Sequence, residues 1–541
     1  MNFVLNCIIL LAIVKYVHGF SLCPASCVCD DSRLLVKCFE GKKNLDYVPI
    51  TLIPSVERLY IRYNAVKVID YSINFYAELR ILDLSDNEIF DVQDNVFIYQ
   101  GKLRQMNLNN NKISIINKNT FKGLSRIIEL NLRANFILEI TEEVFPLTIE
   151  ILNLGQNRIS SITPNAFKYN VNLKSLYLDD NILTALPTNT FNHMPLLAEL
   201  FIGQNMIYQI KNDAFENLNN LVHLNIHGSR INNISSAAFY HLKNLKSLDI
   251  SENMLKRIPT GQLRLLSRLE SLKIGNNDFE IMEEGAFFGL SYLQNVDISG
   301  CKNLNQIQPG AFAANPNLET IILSSNKILS EIQDGVFSNL PNIRNVDLKN
   351  NDLKTVREEI LPWKSLKSFD ISENPLICDC RLSWLNELLE KKQSTNEIFC
   401  SSPLQLKGKR IENIFENRID CQSTSNSQSL YVLLFIIIFF SGIILFKHRS
   451  LLFQKYYRNS ERITNTTDQN HIYEEISNLK NNESIENAIN SNIYSFGCPF
   501  LIPDQFSTPL YYPPLPTVTR AENEYTSFYT THPIHDTINI I

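Results

Sequence analysis

The chain has 541 residues, of which 69 are Leu, 63 Ile and 63 Asn, against only 17 Gly and 21 Pro. The low Gly and Pro exclude collagen-like and linker-like classes, and 44% hydrophobic residues exclude a chain disordered throughout. With 50 basic and 56 acidic residues the net charge is −6, which leaves no electrostatic footprint for a nucleic acid.

Residues 1–19 read as a secretory signal peptide. Phe3 to Val14 is apolar, and Val17 and Gly19 stand at the −3 and −1 positions of a cut, although no Lys or Arg precedes the apolar run. Cleavage after Gly19 would remove Cys7. The remaining cysteines fall in two quartets, Cys23, Cys27, Cys29, Cys38 and Cys378, Cys380, Cys400, Cys421, with Cys301 and Cys498 left over. Two even clusters around a Cys-poor stretch predict two small disulfide-stapled units, over 20–55 and 375–422. The Cys-x-Cys spacings at 27/29 and 378/380 fit zinc knuckles badly, and each quartet allows three pairings.

Between the quartets, over 56–374, a motif recurs. One copy reads Leu173-x-x-Leu176-x-Leu178-x-x-Asn181-x-Leu183, followed by Phe191. The anchor Asn falls at 64, 87, 111, 135, 157, 181, 205, 253, 277, 326, 351 and 374, with Ser229 and Cys301 completing fourteen copies. The apolar positions alternate as a short strand requires, and one copy alone cannot bury them, so the copies must stack. The anchor amide can both donate and accept across to the neighbouring copy. Cys301 reads as a small substitute at this site rather than a reactive thiol. A second apolar column, Phe97, Phe121, Phe145, Phe167, Phe191, Phe215, Phe239, Leu263, Phe287, Phe312 and Phe337, fills the wide outer side.

Leu430 to Phe446 is 17 residues without a charge, about 25 Å as a helix. Residues 423–429 form a short stalk before it. Lys447, Arg449, Lys455, Arg458 and Arg462 follow, which by the positive-inside rule places residues 447–541 in the cytoplasm. The expectation is a single-pass type I protein of the plasma membrane with a disordered tail. Within the tail, His471-Ile472-Tyr473-Glu474-Glu475-Ile476 suits an SH2 domain once Tyr473 is phosphorylated, with Ile476 entering an apolar pocket. Pro513 to Pro516 suits an SH3 or WW adaptor, and Tyr525-x-x-Phe528 has the form of a sorting signal. Of the Asn-x-Ser/Thr sequons only Asn233 lies outside the membrane; Asn465 and Asn482 fall in the tail.

The fourteen copies resemble the extracellular "typical" leucine-rich repeat family. Cys23-Pro24-x-x-Cys27-x-Cys29 and Asn374-Pro375-Leu376-Ile377-Cys378-Asp379-Cys380-x-x-x-Trp384-Leu385 resemble its two caps. The resemblance implies an α/β-type solenoid, a horseshoe of about 14 repeats with short parallel strands on a concave face. It also implies the pairs Cys23–Cys29, Cys27–Cys38, Cys378–Cys400 and Cys380–Cys421. On that face the middle exposed position runs Tyr60, Asp83, Asn107, Asn131, Asn153, Tyr177, Phe201, Asn225, Asp249, Lys273, Asp297, Ile322, Asp347 and Asp370. Tyr177 and Phe201, with Asp179, Asp180, His223 and His227 around them, form the first candidate binding patch. Tyr60 and Tyr63, with Arg58 and Arg62, form the second. The C-terminal half, with Asp249, Glu252, Asp297, Asp347, Asp370 and Glu373, would attract a basic partner. His223 and His227 share a strand face but lack a third ligand, so neither a metal nor a cofactor is expected.

In architecture the chain resembles insect cell-surface proteins of the Capricious, Tartan and Connectin type. The function implied is a receptor or adhesion protein that binds an extracellular or cell-surface protein, including another copy of itself. An innate-immune co-receptor related to Toll-like receptors is the alternative; the 95-residue tail is too short for their folded signalling domain. No catalytic constellation stands out, so no enzyme is expected.

Overall fold

The computed structural model describes residues 23–39, 45–392 and 397–415, together with positions 436, 437, 441 and 447. The chain divides into two units, 1–425 and 426–541, and the architecture below belongs to the first. Sixteen strands form one sheet there. The first two, Cys27–Asp30 and Leu35–Cys38, are an antiparallel hairpin; all later neighbours are parallel, from Arg58–Ile61 through to Ser368–Asp370. Fourteen of the strands are the fourteen expected repeats, in sequence order and without a crossover.

Each strand is short because its job is local. In Ser175–Tyr177 the central Leu176 is buried, as are Leu173, Leu178 and Leu183 of the same turn, so one copy contributes four aliphatic side chains to a core continuous with its neighbours. Burying each is worth about 2 kcal/mol. The outer column is buried throughout, and its rings stack at 5.4–6.5 Å in the runs Phe97 to Phe167, Phe191 to Phe239 and Phe287 to Phe337. Leu263 interrupts the rings.

The anchor amides do what the sequence leads one to expect. Asn181 Nδ2 donates to the carbonyls of Leu154 at 3.0 Å, Leu178 at 3.1 Å and Asp179 at 3.3 Å, while its Oδ1 accepts from the Ile159 amide at 2.9 Å. Bonds to Leu154 and Ile159 tie it to the preceding repeat. Ser229 cannot reproduce this, and its buried hydroxyl has no partner. Cys301 makes weaker contacts, among them Sγ to the Ser299 carbonyl at 3.8 Å, and burial pushes its thiol up to about 12.

Two features of the ladder escaped the repeat pattern. The residue before the anchor is left-handed in all fourteen repeats, from Tyr63 at φ 54° to Glu373 at φ 59°, yet only Gly228 and Gly300 are glycines. This turn brings the anchor side chain under the strand. Next, the repeats starting at Cys301 and Asn326 carry one extra residue in this turn, so Leu304 and Leu329 replace the usual position two after the anchor in the core. The hydrogen bond slips with it: Asn326 Oδ1 accepts from the Cys301 amide, and Asn351 Oδ1 from the Asn326 amide. At Asn374 the ordinary register returns, with Leu353 as donor.

The hairpin covers the first edge of the sheet, and the disulfides Cys23–Cys29 and Cys27–Cys38 pin it as implied. Cys378 pairs with Cys400 at the other end, where a helix Ser383–Lys392 closes the core and Trp384 packs 5.2 Å from Trp363. Cys380 is also disulfide-bonded; its expected partner Cys421 lies outside the described residues. So do the signal segment, nearly all of 430–446, and the tail with Tyr473, Glu474, Glu475 and Ile476. Among the described residues no helix is long and apolar enough to cross a membrane.

Candidate functional site

The solvent side of the sixteen-stranded sheet is a lattice of aligned columns. Tyr60 pairs in register with Asp83, Asp83 with Asn107, and the column continues unbroken through Tyr177, Phe201 and Asn225 to Asp370. Most of this column has a local purpose. The Oδ1 of Asp83, Asn107, Asn131, Asn153, Asn225, Asp249, Asp297, Asp347 and Asp370 accepts the backbone amide two residues on, at 2.8–3.2 Å. These nine Asp and Asn residues close Asx turns that start nine of the fourteen left-handed bends. Their acidity, read from the sequence as a lure for a basic partner, is in the first place turn chemistry.

Five positions have given up that bond: Tyr60, Tyr177, Phe201, Lys273 and Ile322. Tyr177 and Phe201 are adjacent, half-buried, and stacked with ring centroids 4.6 Å apart and planes within 5°. Stacking on one another holds both rings in a fixed orientation, which lowers the entropy a partner must remove. Partial burial, then the carboxylates of Glu199, Asp179 and Glu129, push the Tyr177 phenol above its ordinary value. It stays neutral, a donor at the rim of an apolar step.

The surroundings of the pair are built across several repeats. Arg133 Nη1 reaches Asp179 at 2.7 Å over the intervening repeat, whose equivalent residue is Gly155. A Cβ there would lie 2.5 Å from Arg133 Nη1 and 2.8 Å from Asp179 Oδ1, so the glycine makes room for the ion pair. Gly203 plays the same part for His227: a Cβ at 203 would sit 2.6 Å from its Nδ1, which bonds Asn225 Oδ1 at 2.6 Å. Asp180 is exposed in the left-handed position, and His223 is exposed on the strand that follows Phe201. The structure therefore gathers Tyr177, Phe201 and Asp179 into one cluster and fixes His227 through Asn225 beside it.

The second patch is looser. Tyr60 is half-buried and Tyr63 exposed, but Arg62 turns away to Asp83 at 3.3 Å and Ser85 Oγ at 3.0 Å, and Arg58 bonds the Arg33 carbonyl. At the acidic end Lys349 meets Glu373 at 3.0 Å, and burial raises Asp347 above the usual carboxylate range. Asn233 is exposed at the head of the short strand Asn233–Ile234, which pairs with Gln209–Ile210 on another side of the solenoid.

Two family models fit this chain in succession. One, leucine rich repeat, matches 77–137, 126–181, 171–231 and 220–279; the other, BspA type leucine rich repeat region, matches 256–378 and spans the two lengthened turns. This is a leucine-rich repeat protein. Solved structures agree on the fold. A leucine-rich repeat protein of Leptospira interrogans is 24% identical with a TM-score of 0.54, covering 63% of this chain and 83% of its own. The Toll–Spatzle complex of Drosophila gives 19% identity and a TM-score of 0.51, over 69% of this chain and 59% of that one. The TLR13–ssRNA13 complex gives 22% and 0.50, over 65% and 59%. Leucine-rich repeat solenoids are typically scaffolds for protein interaction, and the strand face of this one presents a continuous extended surface.

Proposed function

We propose that this leucine-rich repeat protein is a cell-surface receptor or adhesion protein whose strand face binds a protein partner around Tyr177 and Phe201. One observation carries the reading. In a column where nine positions hold turn-closing Asp or Asn, two neighbouring repeats replace that bond with stacked aromatic rings. The exchange gives up a turn-closing hydrogen bond, and the stacked rings offer a partner rigid apolar area. The Toll chain is solved bound to Spatzle, which supports a protein ligand on this fold. TLR13 is solved with single-stranded RNA, but a net charge of −6 and the acidic strand face disfavour a polyanion here.

Attachment to the plasma membrane through 430–446, with residues 447–541 inside, follows from the apolar run and the basic residues after it. Phosphorylated Tyr473 would then recruit an SH2 adaptor, and Asn233 would carry a glycan clear of the strand face. Protease applied to intact cells should remove the repeats and spare an epitope in the tail; protected repeats would sink the topology. Tyr177→Ala with Phe201→Ala should abolish cell binding while surface expression stays normal, and undiminished binding would move the site elsewhere.

A further inference from the structure

We propose that the Asn233 glycan folds back onto the solenoid, with its first sugar, an N-acetylglucosamine, stacked on the ring of Tyr208. The inference rests on the reading that the repeats lie outside the cell, where Asn233 receives its sugar. It starts from the side of the solenoid that follows the anchors. On both flanks of that side the residue after the anchor is ion-paired, Glu88 with Lys112 at 3.1 Å and Asp278 with Lys302 at 3.2 Å. Between them the same column turns largely apolar, with Phe136, Ile182, Met206 and Met254 each 38–45% exposed. Leu138 and Tyr208, two residues further along their repeats, widen this surface, Tyr208 at 47% exposed. Arg158 lies over Phe136, 4.4 Å from the ring centre. Tyr208 has no such cover: its side chain makes no ring contact and no hydrogen bond with the other described residues.

The sequon stands beside that bare ring. Asn233 pairs in register with Gln209, and the Asn232 amide donates to the Tyr208 carbonyl at 3.0 Å. The acceptor side chain therefore starts one strand spacing and one residue away from Tyr208. Asn233 is exposed, and its amide group is unpaired among the described residues. Its backbone is held by both neighbouring repeats. The Ser235 amide donates to the Ile210 carbonyl at 2.9 Å, and Gln262 Nε2 donates to the Ile234 carbonyl at 2.7 Å. A glycan rooted in so fixed a stem has little freedom left to lose when it lies down. The chemistry matches too. A β-linked N-acetylglucosamine carries all its ring substituents equatorially, so each face presents C–H groups alone. Set on an aromatic ring, that face buries apolar area on both partners while the sugar hydroxyls stay in water. On the other flank the equivalent residues are Lys256 and Arg257, both exposed, and they offer no such platform. The glycan then occupies this side and leaves the strand face open.

The test is the rate at which a peptide N-glycosidase releases the glycan from the folded full-length chain made in animal cells. Stacking protects the linkage, so Tyr208→Ala should speed release about fivefold, as loss of a contact of aromatic-pair strength would. Tyr208→Phe keeps the ring and should keep the slow rate, and so should Lys256→Ala on the other flank. After denaturation all four chains should release at one rate, which excludes a difference in the glycan itself. Equal release from folded wild type and Tyr208→Ala overturns the stacking, as does release from Tyr208→Phe as fast as from Tyr208→Ala. If Asn233→Gln leaves the mobility of the surface-expressed chain unchanged, no sugar is there and the proposal falls. Should protease on intact cells still remove the repeats in that case, the topology stands and only the glycan is lost.

Discussion

Asn181→Ala removes one carboxamide from the centre of the ladder, and the hydrogen bonds around it set the size of the effect. The Ile159 amide loses its acceptor at 2.9 Å and is left buried and unpaired, which costs about 1–3 kcal/mol. The three carbonyls lose less, because each keeps a second donor: Asn157 for Leu154, Asn205 for Leu178 and the Gln156 amide for Asp179. At about 0.5 kcal/mol apiece for a bond with a surviving alternative, the total comes to roughly 3 kcal/mol. A solenoid does not unfold as one unit, so the local reading is the informative one. Native-state hydrogen exchange should show the Ile159 amide losing about a hundredfold in protection, with the Leu178 and Asp179 neighbourhoods far less affected. An equal loss at the Gln156 amide, which donates to the Asp179 carbonyl, would refute the argument that donors, not acceptors, are limiting here.

Three further outcomes follow from the same geometry. Ser229→Asn should restore the missing anchor and raise stability by about 1–2 kcal/mol in urea titration, because the present hydroxyl is buried without a partner. Ala134→Gly should stabilise by about 1 kcal/mol, since Ala134 holds a left-handed φ of 53° that strains any Cβ, and a calorimetric Tm that falls would count against it. Asp347→Asn keeps an Oδ1 for the Lys349 amide at 2.9 Å while removing a carboxylate whose pKa burial has raised. A raised folded pKa favours the protonated native state, so the wild-type side chain is a burden above that pKa and harmless below it. The variant should therefore melt higher than wild type at pH 7 and equally at pH 3; an unchanged gap at both values would contradict the assignment.

Much of this fold was legible because the Leu, Asn and Phe columns each obey a single strong requirement. Burial and the pairing of inward backbone groups leave few alternatives at Leu176, Asn181 or Phe191. The left-handed column was not legible, because its usual marker is glycine and twelve of the fourteen positions hold side chains. There the turn accompanies the strand before it and the anchor after it, with an Asx bond in nine repeats and without one in five, so no residue type announces it. The geometry of the candidate site was legible in part. Tyr177 and Phe201 stood out as aromatics in a polar column, but the meaning of that column changed once its Asp and Asn residues proved to close turns. The strap from Arg133 to Asp179 joins residues 46 apart and depends on a glycine between them, a relation that no repeat alignment marks.

The two repeats that lack an anchor amide have a consequence for how the solenoid comes apart. A linear array transmits cooperativity only through its neighbour contacts, so a weak contact is a seam. Ser229 and Cys301 place seams on either side of a three-repeat block, and the same block holds Leu263, where the outer rings fail to stack. Pulled or heated, the protein should open first in this middle block. The ring-bearing stretch before it and the disulfide-capped stretch after it would then stand as separate folded islands on one thread.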